Sequence, residues 1–183
     1  MSSQEGGKDT LKSWIPRTKL GKLVAEGKIT DLHEVFEQGY KIKEPEIVKS
    51  LVSGLTTEVV GVTVVQKQTD AGEITKFRVV LAIGNSNGWF GVGSGKASTM
   101  RVAVDKATND ALLKVIPVAL GCGSWECRCN QPHSIPYKVA GKCGSVRIEL
   151  IPGPRGLVLV AGENIKKLLS LAGVKDAWTR TYG

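Results

Sequence analysis

The chain has 183 residues, 42% of them hydrophobic, with 25 Lys and Arg against 17 Asp and Glu. That length suits one large or two small domains, and that apolar share excludes a disordered chain. No apolar run reaches the roughly 18–20 residues of a bilayer span, and the polar start Met1–Thr10 lacks the apolar segment of a secretory signal, so a soluble, cytoplasmic protein with no membrane partner is expected.

The net charge of +8 favours a polyanionic partner. Nine basic residues face eight acidic ones over 1–54, seven face five over 55–120, and nine face four over 121–183. The excess is therefore scattered over the chain rather than gathered in a tail, as on a folded surface that meets phosphates at many points. The 22 Gly cluster at 84–95, 121–123, 141–144 and 153–162, which marks tight turns or places of close backbone approach.

In chain order, residues 1–13 read as a disordered leader. Leu20, Leu23 and Val24 share one face of a short helix stopped by Gly27. A second helix has Thr30 as N-cap, Leu32, Val35 and Phe36 on its apolar face, and Gly39 as its stop. A third starts at Pro45, a favoured first helical position, and turns Ile47, Val48, Leu51 and Val52 inward before Gly54. The acidic residues Glu34, Glu37, Glu44 and Glu46 are expected to face solvent or a basic neighbour.

The period then changes. Val59–Val65 is β-branched, Thr69-Asp-Ala-Gly72 is a turn, and Ile74–Ile83 alternates with Phe77, Val79, Leu81 and Ile83 inward and Lys76 and Arg78 outward. Asn85-Ser-Asn-Gly88 is a hairpin turn, and Trp89–Gly93 a short third strand. From Ala97 to about Val115 a helix returns, with Met100, Ala103, Val104, Ala107, Ala111 and Leu112 buried. The order α-β-β-β-α over 45–116 predicts an α+β domain like that of double-stranded RNA-binding modules. A helical extension over 1–44 precedes it, and a second small α+β domain over 117–183 follows. That last domain is expected to contain strands at Ser134–Val139, Ser145–Ile151 and Leu157–Val160, the last of a buried type. A helix over Glu163–Ala172 turns Ile165, Leu168 and Leu169 inward, and Val174–Trp178 closes the sheet.

Gly91-Val-Gly-Ser-Gly-Lys-Ala97 invites a nucleotide-binding reading, since it follows a strand and is expected to open the helix. The phosphate-loop spacing fails, because Phe90 stands at its first Gly and Ala97 where a magnesium-holding hydroxyl belongs. Glycine amides at a helix N-terminus with Lys96 beside them nevertheless suit a phosphate.

The run Gly84-Asn-Ser-Asn-Gly-Trp-Phe-Gly-Val-Gly-Ser-Gly-Lys-Ala97 closely resembles the signature of small-subunit ribosomal protein number five, the S-five family. Trp14-Ile-Pro-Arg-Thr-Lys, Ile42–Ile47, Val65–Gly72, Gly121–Cys127, Pro132–Pro136, Gly141–Ser145, Pro152–Gly156 and Leu171–Asp176 match in the same order, and the Cys-bearing segment and the Trp14 extension look archaeal. The resemblance implies a double-stranded-RNA-binding-like domain followed by a second α+β domain. It implies binding to small-subunit ribosomal RNA, neighbouring proteins numbered four, eight and three, and a place near the mRNA path. It further implies a part in subunit assembly, in shaping the channel through which mRNA enters, and in decoding accuracy. Relatives usually run on beyond the position of Gly183. The hairpin Lys67–Lys76 resembles the family's RNA-contacting loop but is less basic, and Leu157-Val158 replaces a frequent Thr-Gly.

RNA contacts are expected from Arg17, Lys19, Lys67, Lys76, Arg78, Gly91, Gly93, Gly95, Lys96, Arg101, Lys138, Lys142, Arg147 and Arg155, mostly to backbone and 2′-OH groups. A core position is expected for both Trp89 and Trp125, with base stacking as the other use of either. Cys122, Cys127, Cys129 and His133 follow the spacing C-x4-C-x-C-x3-H. Structural zinc sites more often use wider Cys pairs, and the one-residue gap argues against aiming Cys127 and Cys129 at one ion. Whether the four bind zinc is left open, free thiols are the expectation, and no metal or cofactor is assigned. With two His and no framed carboxylate pair, no catalytic residue is assigned and no enzyme is expected. The alternatives are a free-standing RNA-binding module and a small zinc-dependent enzyme.

Overall fold

The structure is a computed structural model that describes residues 14–127, 129 and 131–183. The disordered leader expected over 1–13 lies outside them.

The extension carries helices α1 (Lys19–Ala25) and α2 (Leu32–Glu37), and α3 (Pro45–Leu51) opens the first domain. The Thr18 hydroxyl caps α1 by accepting from the Gly21 amide at 3.0 Å. Asp31, not Thr30, is the N-cap residue of α2. Gly27 and Gly39 follow in left-handed conformation, as stops at helix ends require. Leu20, Ile29, Leu32, Val35, Ile47 and Val48 are buried in one core with the domain behind them. Glu44 does not face solvent. It is half-buried and its carboxylate accepts from Trp14 Nε1 at 2.9 Å, Arg17 N at 2.9 Å and Thr18 N at 2.7 Å.

Strands β1 (Thr56–Thr69), β2 (Gly72–Gly84) and β3 (Trp89–Ala97) form an antiparallel meander. The two-residue turn Asp70-Ala71 and the Asn85–Gly88 turn join them. Helix α4 (Met100–Leu113) packs on one face, and β4 (Ile116–Pro117) pairs with the start of β3. Val79, Leu81, Ile83, Ala103, Ala107, Ala111 and Leu112 fill the interface between sheet and helix. Met100 lies 50% exposed at the start of the helix instead of joining that face.

The second domain is a sheet of order β5-β6-β8-β7 with one helix, α5 (Glu163–Ala172). Its strands are β5 (Val139–Cys143), β6 (Val146–Pro152), β7 (Leu159–Val160) and β8 (Ala177–Tyr182). Three expectations shift here. Ser134–Val139 is no strand, because Ser134 makes a lone bridge to Gly121 and pairing starts only at Val139. Leu157–Val160 shrinks to a two-residue edge strand with Val160 exposed. The closing strand begins at Ala177 and runs through the middle of the sheet, antiparallel to β6 and parallel to β7.

The domains join through backbone. The Ser86 amide donates to the Leu171 carbonyl at 2.9 Å, and the Gly88 amide to the Ala172 carbonyl at 3.1 Å. Gly173 ends α5 in left-handed conformation, and a Cβ there would run into the Ser86 carbonyl.

Candidate nucleic-acid interface

The glycine-lysine segment is strand, not loop. Residues 89–97 alternate buried and exposed, so Gly91, Gly93, Gly95 and Ala97 face α4 while Lys96 points away. A Cβ at any of the three glycines would lie under 3.0 Å from backbone of Ala111, Ala107 or Ala103. The helix rests on the strand there with no room for a side chain. The glycines thus serve helix–sheet packing, and their amides are not presented to a phosphate at a helix start. The segment stays in the strand up to Ala97 and the helix begins only at Met100, so the expected place at a helix start is not where these glycines lie.

Lys96 remains in a revealing position. It stands opposite Arg78 in the β2–β3 register, on the sheet face that α4 does not cover. Lys76 follows two residues earlier on the same face of β2, opposite Val65, and Lys67 lies two residue pairs further on, opposite Ile74. All four are exposed. Lys67, Lys76 and Lys96 line one shallow groove with Val65, Gln66, Thr69 and Ile74. Among the described residues no carboxylate forms an ion pair with any of the four. Like charges directly opposite on adjacent strands destabilise a sheet, and a counter-charge from outside would relieve that cost. The second domain covers only the other end of this face, where α5 packs over β1, β2 and β3 and Ala82 is fully buried.

A second basic cluster lies on the β5–β6–β8 sheet. Lys142 stands opposite Arg147 in the register, and Arg180 opposite Glu149. Glu149 is buried and accepts from Lys138 Nζ at 2.9 Å and Arg147 Nη2 at 2.8 Å. The Lys138 hydrogen bond, outweighing desolvation, and the charges of Lys138, Arg147 and Arg180 hold its carboxyl below the usual range. Lys138 and Arg147 therefore serve the fold as well as the surface. Arg17, Lys19, Arg101 and Arg155 are exposed singly.

Trp89 lies in the core beside Phe36, with His33 over its ring at 4.6 Å, whereas Trp125 is 90% exposed rather than buried. No local pattern in the chain marks Arg180 as part of a basic cluster, and none marks Asp176. Asp176 is buried, its Oδ2 accepts from His133 Nδ1 at 2.9 Å, and its Oδ1 accepts from the amides of Gly156 at 3.2 Å and Val158 at 2.8 Å.

His133 turns its other nitrogen toward three thiols. The ligand atoms of Cys122, Cys127, Cys129 and His133 all lie within 4.8 Å of one another, so the one-residue gap does bring Cys127 and Cys129 to a shared focus, against the expectation from spacing. The Cys129 thiol and the Arg155 amide, with the Cys129 amide, donate to Cys127 sulfur and draw its pKa down to about 6. Desolvation and the neighbouring sulfurs push Cys122 up to about 11.

Two small α+β domains thus present cationic sheet faces, and among the described residues no framed catalytic group accompanies them. Comparison with known proteins gives the class. Residues 55–119 match the family model for ribosomal protein S5, N-terminal domain, and residues 141–183 that for ribosomal protein S5, C-terminal domain. The chain is 56% identical over 170 residues to small ribosomal subunit protein uS5 of Cenarchaeum symbiosum, covering 93% of this chain and 78% of that protein. It is 54% identical to the uS5 protein of Thermofilum pendens over 93% and 84% of the two chains, and 51% identical to that of Saccharolobus solfataricus over 94% and 81%. The chain belongs to the ribosomal protein S5 family, and among its members the archaeal ones just named are close relatives. It is a ribosomal protein and not an enzyme.

Proposed function

We propose that this chain is a structural constituent of the small ribosomal subunit that grips ribosomal RNA phosphates with the open half of its first sheet. Lys67, Lys76, Arg78 and Lys96 form the principal grip. Arg17, Lys19, Arg101, Lys142 and Arg155 each hold a further phosphate singly, and Lys138 and Arg147 contribute what charge Glu149 leaves them. The facing pair Arg78 and Lys96, two cations in register with no ion-paired carboxylate among the described residues, carries this reading. Such a surface reads backbone shape and 2′-OH groups rather than base edges. Through it the protein supports subunit assembly, the channel through which mRNA enters and decoding accuracy, beside the proteins numbered four, eight and three.

The test is RNA binding across a salt series. Removing one phosphate-binding side chain should lower the slope of log affinity against log salt by about 0.7–0.9. Replacing Lys67, Lys76, Arg78 and Lys96 with Ala should therefore flatten the slope by about three units, with little change in fold. An unchanged slope refutes the assigned face. Sucrose-gradient sedimentation separates the ribosomal role from a free-standing module: a chain absent from small subunits would be the latter.

A further inference from the structure

We propose that Cys122, Cys127, Cys129 and His133 form a zinc site that staples the loop between Gly121 and Ser134 onto the second domain. The loop is closed at its base, where Gly121 and Ser134 exchange amide–carbonyl hydrogen bonds at 2.8 Å. Between them the described residues form no helix or strand, and the one large apolar side chain there, Trp125, points into solvent. Little hydrophobic burial is available to hold this loop, so its order needs another source.

The ligand geometry supplies one. With Zn–S near 2.3 Å and Zn–N near 2.0 Å, tetrahedral coordination places ligand atoms about 3.5–3.8 Å apart. Cys127 Sγ lies 3.5 Å from His133 Nε2, and Cys129 Sγ lies 3.8 Å from Cys122 Sγ. Cys127 and Cys129 sulfurs, at 2.9 Å, would open by less than an ångström around an ion. Three sulfurs and one imidazole around a single focus suit zinc and fill its four positions, as in a closed structural site.

The surroundings match the demand. A metal-binding imidazole needs its second nitrogen fixed by an acceptor, and buried Asp176 supplies it at His133 Nδ1. With Nδ1 donating, the Nε2 lone pair faces the sulfurs. Asp176 is in turn oriented by the Gly156 and Val158 amides, and the Arg155 amide donates to Cys127 sulfur. The site therefore also braces the Pro154–Val158 turn, where Val158 holds a left-handed backbone at φ 65° that a β-branched residue rarely adopts. On binding, the three thiols release their protons to solvent. Three thiolates, one neutral imidazole and Zn²⁺ leave the centre with one negative charge. Cys143 is exposed and takes no part.

The full chain, purified reduced from zinc-replete cells, should carry one zinc by elemental analysis. Cobalt exchanged into it should show thiolate charge-transfer and intense tetrahedral d–d bands. One thiol, Cys143, should react with a thiol reagent before chelation, and all four afterwards. Cys143→Ser should keep metal and spectrum, and Cys129→Ser should lose the tetrahedral signature. Asp176→Asn should weaken zinc about 10–100-fold in competition with a chromophoric chelator. Sub-stoichiometric zinc, octahedral cobalt, a disulfide by mass, or loss of metal in Cys143→Ser would each overturn the site. If Cys129→Ser fails to fold, the stoichiometry and cobalt spectrum of the unaltered protein decide the matter.

Discussion

Two carboxylates show how much a single side chain can organise. Glu44 ties the segment around Trp14 and Thr18 to the first domain through three N–H donors. Desolvation opposes its charge, yet the amides of Thr18 and Arg17 and the indole of Trp14 outweigh it and keep the carboxyl below its ordinary value. Hydrogen bonds to a charged group are worth about 1.5–3 kcal/mol each when buried, less here because Glu44 is half-exposed, so Glu44→Ala should cost about 1–3 kcal/mol in urea unfolding. Glu149 offers a pH test. Its folded pKa is depressed from the ordinary 4.5, so its stabilisation is complete above that value and is lost as pH falls through the folded pKa. The melting-temperature advantage of the unaltered protein over Glu149→Gln should be present at neutral pH and disappear in acid. An advantage that persists after protonation would show that shape, not charge, matters at that site.

Elements explain which parts of the fold are legible in the sequence. The α-β-β-β-α order, the inward row Phe77, Val79, Leu81 and Ile83, and the starts and stops at Pro45, Gly27 and Gly39 follow from periodicity and local backbone preference, and the structure keeps them. The Gly91–Ala97 segment is ambiguous by sequence because glycine permits two opposite things, approach to a ligand and approach of another backbone. Only the partner across the gap, α4, decides between them. Gly93→Ala should therefore destabilise by about 1–3 kcal/mol or more through overpacking against Ala107, while Lys96→Ala leaves unfolding nearly unchanged and weakens RNA binding. A Gly93→Ala variant with unaltered stability would refute the packing role. The Cys spacing misleads for a related reason. Which thiols meet is set by how the loop folds back on its closed base, and the gap between them in sequence does not carry that. Asp176 carries no local signal, because its partner His133 is 43 positions away in sequence.

At the scale of the molecule, the two domains are coupled by the Ser86–Leu171 and Gly88–Ala172 backbone bonds at a site where Gly173 cannot bear a side chain. Gly173→Ala should loosen that seam, replacing one cooperative calorimetric transition by two; a single undisturbed transition would place the coupling elsewhere. The β1–β2 ribbon carries a different consequence. Val62 and Val64 lie exposed on it, and β1 is an edge strand of its sheet. An uncovered β-branched margin of this kind can recruit a like strand from another molecule. The purified protein, kept from RNA, should therefore self-associate through this margin as its concentration rises, and a charged residue in place of Val64 should suppress it.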